Sequence, residues 1–397
     1  MNTVLLFAPL AMAAATFAAQ PPAAPVPASA PAKAPAEKAA DPALPAWHTI
    51  TADSLMAIIR ELPAQRSGGG RPIVPEGTKP PALDDAHRQG LVDTQWLLAR
   101  KAIDLGYEVR LEPVPHSRRG ERRTWSYANV VLELPGWGEL ADEIIIVGAH
   151  FDAVPGTFGA DDNATGVAAA LEIARVLKDP AFSRTSPRRT VFFSLFTLEE
   201  AGLIGASRHV DYLTLRRLIP TMDAPPEAKE RIAAGPRVVM MLSLEMLGFY
   251  STEPGSQRNP LAMLPGAPNL TVGDFIALCT HSTHAPINAR LERAMLAAEP
   301  LVRTARIDQF PSPKVPNFPP DLLRSDHGPF LAAGLPGIMV TDTANFRNPH
   351  YHTPGDTPET LNAPLYERTV RALAGAIWNI ALDPEPFPAP SGQPPQP

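Results

Sequence analysis

Cysteine is nearly absent from this chain of 397 residues: Cys279 stands alone. That excludes an intramolecular disulfide and any lipid-modified cysteine near the start. Cys279 itself, in the apolar run DFIALC, reads as a small core residue and not as a reactive thiol. A sustained basic block is missing too, with 35 Lys and Arg against 41 Asp and Glu and a net charge of -6, so nothing points to a nucleic-acid partner. Nor does the chain offer a comfortable membrane span. Its longest apolar opening, the nineteen residues MNTVLLFAPLAMAAATFAA, is short for one and ends in small residues, as a signal-peptide cleavage region does. The expectation is a leader over 1–19 on an exported chain, periplasmic or secreted, with no stable membrane span after cleavage. The positive n-region of a leader is lacking, which keeps an uncleaved anchor as the alternative.

Apolar residues make up 45% of the chain, enough for a substantial core. Residues 20–46 are mostly Pro and Ala and read as an extended linker. Residues 384–397 are again proline-rich and read as a disordered tail. Between them a single domain is expected over 47–383, without visible repeats. Apolar runs at 107–114, 129–134, 143–148, 190–196, 237–244 and 337–341 read as strands, the third continuous enough to be buried on both faces. Residues 84–105, 164–178 and 288–298 carry helical patterning. Strands alternating with helices indicate an α/β, doubly wound arrangement.

Five residues able to bind a metal, His150, Asp162, Glu200, Glu245 and His352, each come after such a run. In an open parallel sheet the strand ends gather on one side, where ligands bind, so residues far apart in the chain can meet there. His150 precedes Asp152 by two positions, and an imidazole held by a carboxylate is a common metal-site arrangement, though a surface pair is as ordinary. In GADDNATG either Asp161 or Asp162 can serve merely as a helix cap; two adjacent aspartates exceed that need, and a carboxylate can bridge two cations. Glu199 and Glu200 follow VFFSLF. Adjacent side chains in an irregular segment point apart, so one can bind metal while the other accepts a proton from the attacking water. Glu245 follows seven largely apolar residues, where an unpaired charge is costly. The loop NPHYHTPGDT packs two histidines, Tyr351 and an aspartate together, and a tyrosine hydroxyl can donate to a developing oxyanion. These residues point to a two-metal hydrolase.

Taken in order, AHFD, GADDNATG, EEAGLIGA, LEMLG and YHTPGDT resemble the zinc aminopeptidase family, metallopeptidase family 28, which includes secreted bacterial leucyl aminopeptidases, glutamate carboxypeptidase and glutaminyl cyclase. The resemblance covers about 129–361. It implies a single phosphorylase/hydrolase-like three-layer domain, with a mixed, largely parallel central sheet flanked by helices. It also implies two Zn2+, with Co2+ or Mn2+ as alternatives. His150 would bind one zinc, Asp162 would bridge both, Glu200 and Glu245 would each bind one, and His352 would complete the second. Glu199 matches the general base, Asp152 the residue orienting His150, and Tyr351 the oxyanion-stabilising tyrosine. Glu245 departs from the pattern, since many members have the shorter aspartate there. In DHGPF, Asp326 is expected behind the ligands and His327 in a structural role.

The leading expectation is an aminopeptidase acting on peptides with a free amino terminus. Carboxypeptidase action is the alternative, with Arg324 and Arg347 able to receive a terminal carboxylate, although surface salt bridges are their plainer use. Glutaminyl cyclisation is disfavoured by ligands for a second metal and by Tyr351, where the cyclases carry tryptophan. A non-catalytic binding domain would be expected to lose ligands or base. Met246, Phe249 and Phe346 are guesses at the pocket lining.

Overall fold

The computed structural model describes residues 44–117, 124–183, 187–218, 236–259, 270–308 and 323–388. The expected leader, residues 20–43 of the linker and 389–397 of the tail lie outside them. Apolar runs become strands β1 (Glu108–His116), β2 (Trp125–Leu134), β3 (Glu143–His150), β4 (Thr190–Phe196), β5 (Arg237–Glu245), β6 (Ile276–Thr280), β7 (Thr304–Ile307) and β8 (Gly337–Thr341). They form one mixed sheet in the order β1-β2-β4-β3-β5-β8-β6-β7. The middle pairs, β4 with β3, β3 with β5 and β5 with β8, are parallel. β1 and β2 add antiparallel strands at one edge, and β6 turns antiparallel to β8 at the other. β3 is buried from Ile144 to His150, as its unbroken apolar run requires of a strand covered on both faces.

The helices are α1 (Ala52–Glu61), α2 (Asp85–Asp104), α3 (Gly166–Leu177), the single turn α4 (Pro180–Ser183), α5 (Ile204–Leu218), α6 (Ala285–Ala298), α7 (His327–Ala332) and α8 (Ala363–Leu382). One sheet face packs against α1, α2, α3 and α8 through a core that includes Ile59, Leu98, Val167, Ile173, Leu242 and Ile377. On the other face Phe192, Phe196 and Met241 meet Ala206 and Val210 of α5 and Phe330 of α7. The result is the expected three-layer α/β domain. Among the described residues no helix is long and apolar enough to cross a membrane.

The packed chain runs past Asp383, where proline content alone suggested that it ends. Phe387 is buried with the guanidinium of Arg290 4.4 Å from its ring, and the carbonyl of Glu385 accepts from Arg189 and Arg290.

Register places the site. His150 pairs level with Phe196 across β3 and β4, and Glu245 with Thr341 across β5 and β8. The carboxyl ends of all four central strands therefore open on one edge.

Candidate metal centre

His150 closes β3 and is buried. Its Nε2 lies 3.3 Å from Asp162 Oδ1 and 3.5 Å from Glu245 Oε2. Opposite, His352 Nε2 lies 3.1 Å from Asp162 Oδ2 and 3.2 Å from Glu200 Oε1. The structure thus brings all five candidate ligands together around the two oxygens of Asp162. Glu199 stands on the first side, in a group with His150 and Glu245 whose donor atoms lie within 4.8 Å of one another.

Neither aspartate caps the following helix, whose Gly166 N–H is taken by Asn163 Oδ1 instead. Asp161 ties loops together: Oδ1 accepts from the Gly248 N–H at 2.8 Å and Oδ2 from Asn348 Nδ2 at 2.7 Å. Asp162 is left facing the histidines. Both backbone N–H groups are held by the carboxylate of Asp356, a residue inside the YHTPGDT motif whose role the sequence left unassigned.

Asp152 does more than steady its neighbour. Its carboxylate accepts from the backbone N–H of Glu199 at 3.0 Å and of Glu200 at 3.2 Å, and so fixes the loop that presents both glutamates. Its Oδ1 is 3.6 Å from His150 Nδ1; the closer partner of that nitrogen is the carbonyl of Asp152, at 3.1 Å. The orienting contact to His150 therefore runs through the main chain. The glutamate loop is also held from below, where Asn129 Oδ1 accepts from Thr197 N and Asn129 Nδ2 donates to the Gly205 carbonyl.

So many buried charges perturb one another. Burial and the neighbouring Asp162 push the Glu200 carboxyl up to about 7. Burial likewise raises Glu199 and Asp326 well above the usual carboxylate range. Burial works to depress His352, yet Asp162 and Glu200 raise it to about 10, and Glu199 and Glu245 raise the buried His150. Asp162, despite its burial, is held low by the two histidines. Among the described residues both oxygens of Asp326 are buried without a hydrogen-bond partner, and Glu200 Oε1 faces only His352. This donor set fits divalent cations. Around a tetrahedral zinc with bonds of 2.0–2.1 Å, donors sit about 3.3 Å apart, and the four separations above bracket that spacing. His150, Asp162 and Glu245 would hold one cation, and Asp162, Glu200 and His352 the other.

Tyr351 stacks on His352, with ring centroids 3.8 Å apart. Its hydroxyl accepts from Arg324 Nη2 at 3.0 Å, which leaves its own proton to donate, and burial raises the phenol far above its ordinary range. Arg347 is buried and not on the surface, with Nε bonded to Gln257 and the guanidinium stacked on Phe275.

A cleft of about 930 Å3, its mouth included, runs from Asp162, Glu199, Glu200, Glu245 and His352 into an apolar chamber lined by Leu270, Phe275, Cys279, Ile307 and Met339. Phe346 lines it as anticipated. Met246 instead packs out of solvent, and Phe249 turns its ring to His350. The chamber was not legible in advance because its walls come from separate strands, with Cys279 on β6 and Met339 on β8.

The model of peptidase family M28 matches residues 129–377. The protein YfbL of Escherichia coli K12 is 31% identical over 260 residues, covering 63% of this chain and 69% of YfbL. A probable leucine aminopeptidase of Trichophyton verrucosum is 25% identical over 266 residues, 64% of this chain but 56% of that protein. The solved structure of BSAP, a zinc aminopeptidase from Bacillus subtilis, superimposes with a TM-score of 0.55 at 15% identity, over 84% of this chain and 96% of that one.

Proposed function

The chain belongs to peptidase family M28, and from that premise we propose that it is an exported di-zinc aminopeptidase. The observation that carries the reading is Asp162, each of whose oxygens faces its own histidine, at 3.3 Å and 3.1 Å. Cations bound there lower the pKa of water and polarise the scissile carbonyl. The protein supplies the rest. Glu199, fixed through its backbone N–H by Asp152, takes the proton of the attacking water and returns it to the leaving amine. Burial raises its carboxyl, which suits a group that must both accept and donate. Tyr351 donates its proton toward the oxyanion. The apolar residues that line the same cleft fit a large apolar side chain on the residue released. Export rests on residues 1–19.

A second reading draws on Arg324, which lines the same cleft and suits a terminal carboxylate, as a carboxypeptidase requires. The two readings separate on a panel of aminoacyl arylamides, their amino-blocked counterparts and amino-blocked peptides with a free terminal carboxylate, with metal content measured on the same sample. Cleavage of free-amine substrates alone, with two zincs per chain, supports the aminopeptidase. Cleavage only next to a free terminal carboxylate replaces it with the second reading.

A further inference from the structure

Upstream of the family match, the run Arg66-Ser67-Gly68-Gly69-Gly70-Arg71-Pro72-Ile73 touches three loops that bear site residues. Arg66 is buried, and its guanidinium donates to the carbonyls of Phe151, Phe158 and Gly159 at 2.8, 2.6 and 2.7 Å. Its own carbonyl accepts from Ala153 N. That end grips the loop between His150 and Asp162. The glycines then pass over the glutamate loop with no room to spare. A Cβ at Gly68 would stand 2.0 Å from Leu198 Cδ2, and one at Gly69 would stand 2.9 Å from Ala201 Cβ. Gly70, at φ +94°, would place a Cβ 2.6 Å from Val154 Cγ1 and 3.1 Å from Glu200 Cβ. At the far end the Ile73 N–H donates to the carbonyl of His352 at 2.7 Å. His352 has φ +57°, a left-handed conformation that a non-glycine residue keeps only where its surroundings hold it.

We infer that residues 66–73 form a clasp that positions the metal-ligand loops, and that the Ile73-to-His352 bond sets how tightly the cation of Asp162, Glu200 and His352 is held. The inference rests on the di-metal reading above and adds a distinction to it: the clasp ends on a ligand of one cation and not on both. Groups that orient a ligand from behind change metal affinity by about ten- to a hundredfold when lost. Ile73 is 55% exposed, so a substitution there acts chiefly through the main chain.

The test is a Co2+ titration of the metal-stripped full chain, followed by visible absorption, for wild type, Ile73→Pro and Ile73→Ala. Proline removes the N–H donor, whereas alanine keeps it. The expected result is two tight equivalents in wild type and Ile73→Ala. In Ile73→Pro one equivalent stays as in wild type and the other weakens about ten- to a hundredfold. Gly70→Ala, whose Cβ would meet Val154 Cγ1 first and Glu200 Cβ next, strains the same clasp and serves, read for the same loss at one equivalent, if the proline variant does not fold. Two equivalents of unchanged affinity in both variants, or equal weakening of both equivalents, overturns the inference. A wild-type chain that binds fewer than two equivalents overturns the di-metal reading instead.

Discussion

Ser325 Oγ donates to Glu245 Oε2 at 2.7 Å. Ser243 Oγ lies 2.9 Å from Ser325 Oγ, and because the Ser325 proton is committed to the carboxylate, Ser243 is the donor of that pair. Glu245 has one methylene more than aspartate, and thus one more torsion to fix before its oxygen can sit 3.5 Å from His150 Nε2. The two serines supply that restraint from behind. Ser325→Ala should weaken zinc at the His150 side by about ten- to a hundredfold, measured by competition with a chelator. Unchanged affinity would mean that Ser325 does not set the position of Glu245.

Glu199 tests the proton transfer apart from metal binding. Its backbone is fixed by Asp152 whatever the side chain, so Glu199→Gln should keep the zinc content of wild type and the fold while kcat falls by about 10²- to 10⁴-fold. Zinc analysis and turnover on one preparation decide it. Ordinary turnover in that variant removes Glu199 from the role.

The central strands were legible from their apolar runs, and the convergence of the five candidate ligands was expected because a parallel sheet gathers the carboxyl ends of its strands on one side. Strands β6 and β7 were not legible. β7 has only four residues, and β6, though as long as β8, lies with it in a stretch rich in Pro, Asn and Ser that blurs its boundaries. The partition between Asp161 and Asp162 was open from the residues alone and was suggested only by the family resemblance, since it is decided by Gly248 and Asn348, residues distant in sequence. Arg66 gave no signal at all. Its partners are backbone carbonyls, which any sequence would present.

The apolar chamber makes a prediction about size. Cys279 is buried on its wall, with burial pushing the thiol up to about 12, so it is a packing group at neutral pH. Cys279→Phe should fill the chamber and lower kcat/KM for leucyl arylamide while alanyl arylamide is spared. A difference of about 10- to 200-fold is the scale on which apolar pockets discriminate. Equal losses for both substrates would place the released side chain elsewhere in the cleft.

Removing the metals should make stability fall as pH rises, and the direction follows from the groups that line the centre. Burial raises Glu200 to about 7 and Asp356 to about 8. His352, drawn up by Asp162 and Glu200 against the effect of its burial, reaches about 10. Each of these values exceeds that of the unfolded chain, so over the intervening pH range the folded state binds more protons and stability declines with pH. For the two acids the decline begins above the ordinary carboxylate range and ends near 7 and 8. For His352 the contribution is complete below about 6.5 and is lost as pH rises through 10. Asp162 is depressed and acts only in acid, outside this window. Zinc, in contrast, displaces those protons and binds more tightly as they leave. The Tm of chelator-treated protein should therefore fall steadily from pH 5 to pH 9, and the increase in Tm on adding zinc should grow over the same range. A metal-free Tm that climbs with pH would show that these carboxyls and His352 do not carry the extra protons in the folded chain.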